Sequence, residues 1–215
     1  MAISAKDVAA LRKQTGAGMM DCKKALVESD GDFDKAIEWL QKKSLAAVGK
    51  RAGKVAAEGA VGSYVHGGRI GVLVELNSET DFVARNEDFQ QLLKDICMHV
   101  AASNPQYVRD DEIPSDQVEK NREIFLDQMK DQGKPEHILG RIVDGKIAKW
   151  KKEICLVDQP FVKNPDQTVG EYVTEVAGRI REKITVRRFV RFEVGEGIEK
   201  KADDFAAEVA AAVQG

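Results

Sequence analysis

The sequence predicts an α+β fold: an N-terminal three-helix unit, then a strand hairpin, further helices, an antiparallel helical hairpin and a third strand. Three observations predict it. Apolar residues recur at helical spacing through the first 45 residues. From Gly59 the period shortens to strand-like alternation. Residues 115–153 then return to helical spacing, with two apolar faces separated by a glycine- and proline-containing turn. A chain of 215 residues, 43% hydrophobic and 32% charged, is long enough to bury a real core.

Each element has its own signal. Ser4 is placed to cap a first helix, with Asp7 as its acidic partner and Val8 and Leu11 on the apolar face. TGAG (15–18) breaks that helix. A second, MMDCKKALVES, ends at Asp30-Gly31, and a third carries Phe33, Ile37 and Leu40 at helical spacing. Residues 46–58 hold charges and small residues and read as a linker, partly helical and exposed. Two strands, 60–66 and 69–76, flank the turn His66-Gly67-Gly68. A helix over 87–102 ends at SNP, because the residue before proline avoids helical backbone. In the hairpin, Val118, Phe125 and Met129 mark one face; Ile138, Leu139, Ile142, Val143, Ile147 and Trp150 mark the other. EICLVDQPFV (153–162) reads as part strand, part loop. Thr168 and Glu171 open a helix over 168–183 as a capping box. A third strand spans 184–194, and an alanine-rich helix closes the chain. The expected units are 1–45, a core of 59–114 with 154–197, the hairpin 115–153, and a C-terminal helical module at 198–215.

Composition narrows the function classes. A net charge of −3 and a pI near 5.8 argue against a general nucleic-acid binder. No apolar stretch approaches the roughly 18 residues of a membrane span, and MAISAKDVAALRK has no apolar signal core. Cys22, Cys97 and Cys155 are odd in number and far apart, which fits reduced, buried thiols in a cytosol-like compartment. A bacterial cytoplasm is the simplest location, with an organellar mature form as the alternative.

No reaction finds a complete set of residues. Gly140 to Lys146 has the spacing of a phosphate-binding loop, but Ile147 stands where that motif needs Ser or Thr, and no strand precedes it. His66, His99 and His137 lack the spacing of a zinc site. Cys22 beside Lys23 and Lys24 is a candidate reactive thiol, against the commoner fate of core packing. A binding function is therefore favoured, with no enzymatic chemistry, cofactor or metal. NSETDFVARNEDF (77–89) stands out. It lies between a strand and a helix, and sets an acid beside a large aromatic, Asp81-Phe82. That pair is either a helix cap with a core aromatic or an exposed tip.

TGAGMMDCKKAL (15–26) and TDFVARN (80–86) resemble elongation factor Ts. The resemblance continues through GSYVHGGRIGVLVEL, MHVAASNP, GKPEHI, QPFVKNP and FVRFEVGEGIEKK, and so covers essentially the whole chain. It implies a guanine-nucleotide exchange factor for elongation factor Tu in translation elongation, and a ubiquitin-associated-like N-terminal domain. It implies an antiparallel three-stranded sheet with packed helices as the core, and that the helical hairpin is a protruding coiled coil. It further implies that Thr80, Asp81, Phe82 and Val83 are inserted beside the partner's magnesium site. Arg12, Met19, Met20 and Lys23 would make further partner contacts. Phe161 and Val162, with His99 joining them, would grip the partner's third domain, though core packing is the plainer reading of Phe161 and Val162. Longer family members hold two related core halves; this chain resembles a short form with one merged core. A homodimer, giving a 2:2 complex, would restore the second copy; a monomer bridging both partner surfaces is the alternative. Two other functions compete: an adaptor using its three-helix domain, and a nucleotide hydrolase using GRIVDGK.

Overall fold

The computed structural model describes residues 3–129 and 136–198. All but the first residue of the expected C-terminal helical module (198–215), and the hairpin turn at 130–135, lie outside the described residues.

Three helices open the chain: α1 (Ala5–Thr15), α2 (Met19–Glu28) and α3 (Phe33–Arg51). Ser4 and Asp7 cap α1 reciprocally: the Asp7 N–H donates to Ser4 Oγ (3.2 Å), and the Ser4 N–H to Asp7 Oδ2 (3.1 Å). Gly16 ends α1 at φ +67, a backbone angle glycine adopts without strain. Val8, Leu11, Cys22, Ala25, Leu26, Ala36 and Leu40 form the core of this unit. The third helix continues through much of the expected linker, to Arg51. Its extension is held from outside: Val48 packs against the main core. Gly178 lets α8 (Val169–Ile180) approach closely, since a Cβ there would lie 2.9 Å from Ser44 Cβ.

The main sheet has the order β1 (Glu58–His66), β2 (Ile70–Ser78), β5 (Thr185–Glu193), all antiparallel. Its inner face, with Val72, Val74, Leu76 and Val186, packs on α5 (Glu87–Ser103) and α8. Gly62 admits Leu93 from α5; a Cβ there would come within 2.6 Å of Leu93 Cγ. Between sheet and α5 lies a single-turn helix, α4 (Asp81–Ala84). The hairpin is α6 (Ser115–Asp127) and α7 (Glu136–Ile154), closed around Met129, Val143 and Ile147. Residues 140–146 are helical throughout, and the Lys146 ammonium lies 5.4 Å from the Phe125 ring centre, so this stretch forms no phosphate loop. A small second sheet, not anticipated from the sequence, pairs β3 (Pro160–Phe161) with β4 (Asn164–Thr168). All three cysteines are buried; burial pushes Cys97 and Cys155 up to about 11, which disfavours the thiolate. No described helix is long and apolar enough to cross a membrane.

Candidate functional site

The residues singled out in the sequence fall into three groups on the structure. The first is the turn between β2 and α5. Phe82 is 77% exposed on α4, so it is no core aromatic. Asn86, not Asp81, caps α5: its Oδ1 accepts from the N–H groups of Asp88 (2.8 Å) and Phe89 (3.4 Å). Val83 and Ala84 pack against the main core, so one side of α4 is anchored while Phe82 projects. Asp81 pairs with Arg85 at 3.5 Å, but both are largely exposed, and such a pair holds Asp81 only weakly.

The base of this tip is fastened by crossed hydrogen bonds. Pairing of β2 with β5 ends at Asn77 and Thr185. Just beyond, the Lys183 N–H donates to Glu79 Oε1 (2.8 Å), while the Thr80 N–H donates to Glu182 Oε2 (3.1 Å). The Thr80 hydroxyl donates to Glu182 Oε1 (2.7 Å). Arg51, in the last turn of α3, donates to Glu79 at 2.9 Å. The Lys183 N–H, then the Arg51 guanidinium, hold the Glu79 carboxyl below its ordinary value. From below, the buried Ser78 hydroxyl donates to the Thr80 carbonyl (2.9 Å).

The second group lies on the three-helix unit. Met19 and Met20 are 46% and 74% exposed at the start of α2, and Arg12 and Lys23 are exposed as well. Cys22, Ala25 and Leu26 take the inward face, which leaves 19, 20 and 23 outward. Val27, 54% exposed, extends the same stripe and went unremarked in the sequence. Its signal was the four-residue step from Lys23. Asp21, between the methionines and Lys23, is tied to Lys43 and to Arg181, fixing α2 to the core; the Lys43 hydrogen bond leads in lowering its pKa.

The third group is His99, Phe161 and Val162. His99 and Phe161 are buried within the chain and present no surface; Val162 is 47% exposed. The Val162 N–H donates to His99 Nδ1 (3.2 Å), so Nε2 carries the proton and donates to Gln159 Oε1 (2.9 Å). Gln159 in turn donates to the Glu153 carbonyl (2.6 Å). Burial lowers the His99 pKa, partly opposed by the Gln159 hydrogen bond, and keeps the ring neutral. One turn earlier on α5, buried Asp95 accepts from Gln91 (2.8 Å), Lys163 (2.6 Å) and Tyr172 (3.0 Å). Phe161 stacks on Tyr172 with ring centres 4.7 Å apart. So α5 holds β3 and β4 by two polar clusters, and His99 and Phe161 set the position of Val162.

The family model described as Elongation factor TS matches residues 21–196. Curated relatives match nearly end to end. An Elongation factor Ts from Alkaliphilus metalliredigens is 59% identical over 210 residues, covering 98% of each chain. That of Desulforamulus reducens is 58% identical over 213 residues, covering 99% of this chain and 98% of the relative. That of Geobacter sulfurreducens is 57% identical over 213 residues, covering 99% of each.

Proposed function

Because the chain belongs to the elongation factor Ts family, we propose that it binds elongation factor Tu in its GDP form and drives GDP out by inserting the Thr80–Val83 tip beside the magnesium site. The observation that carries this reading is Phe82: a large apolar side chain held in water on an anchored one-turn helix. Burying it against a partner would gain about 2–3 kcal/mol. Asp81, weakly held by Arg85, can compete for the hydrogen bonds that position the magnesium's water shell. Magnesium tolerates little departure from octahedral geometry, so a small shift in its supports releases it. The nucleotide phosphates then lose their counter-charge.

The chain performs no covalent step in this reading. Its work is differential binding, and coupling is reciprocal: weakening GDP a thousandfold requires about 4 kcal/mol, and GDP weakens the grip of this protein equally. The tip supplies only part. The stripe of Arg12, Met19, Met20 and Lys23, extended by Val27, and the exposed Val162 are the remaining contacts. Two neighbouring methionines suit an adaptable surface.

The test is release of a fluorescent GDP analogue from elongation factor Tu with magnesium present. Wild type should accelerate it. An Asp81→Ala, Phe82→Ala double variant should bind nucleotide-free partner but hardly accelerate release. No acceleration by wild type removes the proposal.

A second observation favours a homodimer and a 2:2 complex. The outer face of the main sheet carries Val61, Val65, Leu73, Val190 and Phe192, all exposed, although the inner face is buried already. A sheet apolar on both faces calls for cover on both. Glu75 on this face is paired with Arg188 at 2.7 Å, so its carboxylate does not repel the same group on an identical face. Light scattering should give twice the chain mass at micromolar concentration. Leu73→Glu should give the monomer, and a monomeric wild type would end this part of the reading.

A further inference from the structure

Resting on the reading of the tip as the exchange device, we propose that Glu182 is the positioning residue that aims it. A single-turn helix cannot hold its own direction, because nucleating a turn fixes several residues for one hydrogen bond. α4 also lacks a side-chain cap. Thr80 stands at its N-cap, the place where a threonine hydroxyl ordinarily accepts from the following turn. Here that hydroxyl donates to Glu182 Oε1 instead, and the Thr80 N–H donates to Glu182 Oε2. One carboxylate thus takes both donors of the residue that starts the tip, which fixes its rotation as well as its place. Bidentate geometry of this kind adds orientation to attachment.

The anchor behind the carboxylate is firm. Glu182 follows α8, whose last turn is closed by Arg181 in left-handed backbone, and precedes β5. The neighbouring Lys183 is held by its N–H on Glu79 and by its ammonium on the carbonyls of Ala52 (2.7 Å) and Lys54 (2.8 Å). The orientation of Phe82 is therefore set through Thr80 by a carboxylate 102 residues from that threonine in sequence, on a loop whose Lys183 also holds the backbone that follows α3. A misaimed Phe82 would still reach the partner surface but would miss the position that disturbs magnesium. Small errors of placement cost rate steeply.

The experiment compares Glu182→Ala, Glu182→Gln, Phe82→Ala and the Glu182→Ala, Phe82→Ala double variant. The readouts are the maximal rate of GDP-analogue release and affinity for nucleotide-free elongation factor Tu. Glu182→Ala is expected to lower the maximal rate about tenfold, the size expected from one charged hydrogen bond. Affinity should stay within about twofold, since the contact surfaces are untouched. Glu182→Gln keeps an acceptor oxygen and should recover part of the rate. In the Phe82→Ala background, Glu182→Ala should have no further effect, because it acts through that ring. Wild-type rate in Glu182→Ala, or a full multiplicative loss in the double variant, overturns the proposal. If Phe82→Ala alone exchanges like wild type, the reading of the tip falls, and the role of Glu182 falls with it. Should Glu182→Ala fold poorly, Thr80→Val removes only the hydroxyl bond and must itself slow release; an unchanged rate refutes the proposal.

Discussion

Replacing Phe161 and Val162 one at a time separates a residue that would build the proposed contact surface from one that would belong to it. Phe161 is 3% exposed, stacked on Tyr172 at 4.7 Å with planes 16° apart, and tilted against His99 at 6.1 Å. Truncating a core phenylalanine to alanine costs about 3–5 kcal/mol. The stack with Tyr172 adds about 0.5–1.5 kcal/mol beyond buried area, which puts Phe161→Ala at the upper end, about 4–5 kcal/mol. For a chain of this size each kcal/mol moves the melting temperature by about 2–4 °C, so the midpoint should fall by roughly 8–20 °C. Val162 is 47% exposed, and Val162→Ala should leave stability within about 0.5 kcal/mol of wild type. Partner binding should reverse the ranking per unit of stability lost: Val162→Ala weakens it by about 1 kcal/mol, the worth of one or two buried methyls. The assay is urea unfolding together with calorimetric titration against nucleotide-free elongation factor Tu, at a temperature where both variants are folded. A Phe161→Ala protein within 1 kcal/mol of wild type would refute the packing argument, whose own magnitude is about 3–5 kcal/mol. Wild-type binding by Val162→Ala would remove β3 and β4 from the contact surface.

Other outcomes follow from single features of the structure. Phe82→Ala should leave the melting temperature unchanged, because the ring is already in water; a clear drop in thermal stability would mean that Phe82 packs internally. The depressed His99 pKa makes stability pH-dependent in one direction. The unfolded chain takes up the proton first, so stability is full above the ordinary value of 6.5 and declines as pH falls below it. His99→Gln should flatten that decline in urea midpoints between roughly pH 7.5 and 5, and an unaltered slope would dismiss His99 as its source. The lowered carboxyls of Asp21 and Glu79 act in a separate window, contributing stability that is lost only as pH falls beneath their ordinary values of 3.8 and 4.5. Gly178→Ala should cost about 1–3 kcal/mol by driving α3 from α8, since a Cβ would stand 2.9 Å from Ser44 Cβ; an undisturbed unfolding midpoint would show that α3 shifts freely.

How much of this was legible depended on the range of the interaction. The capping boxes at Ser4 and Thr168 are four-residue signals, and the structure forms both. The strands around His66-Gly67-Gly68 announce themselves by alternation and a glycine turn. The extension of α3 to Arg51 does not: Ser44 meets Gly178 of α8, more than 100 positions downstream, and Val48 packs against the main core. NPDQT carries no strand signature, yet pairs as β4 because the Val169 N–H reaches back to the Gln159 carbonyl (3.0 Å) and closes the loop. Residue pattern alone could not divide QPFV into an inward Phe161 and an outward Val162. The division is made by His99 Nδ1, 63 residues earlier, accepting the Val162 N–H. The exposure of Phe82 has the same cause. Asp81-Phe82 suits a cap and core aromatic equally well until Asn86 caps α5 and Val83 and Ala84 take the packed side.

These long-range ties bear on how the proposed contacts at Phe82 and Val162 would act together to displace a bound nucleotide. The tip immediately precedes α5, and His99, which fixes Val162, lies toward the far end of the same helix. From Glu87 to His99 the helix rises roughly 18 Å at about 1.5 Å per residue. Phe82 and Val162 are thus two exposed apolar points at opposite ends of one buried strut. On the proposed function, a partner engaged at Val162 would present its nucleotide site to Phe82 at high effective concentration, without paying again for encounter. The strut must be stiff for that to hold, and α5 is: nine of its residues are buried, and Asp95 and His99 tie it to β3, β4 and α8. Inserting one alanine into α5 between Leu93 and Asp95 would turn the second half by about 100° and break these ties. Such a variant should lose Val162-dependent binding and fast exchange together. Retention of either one alone would show that the two points act independently.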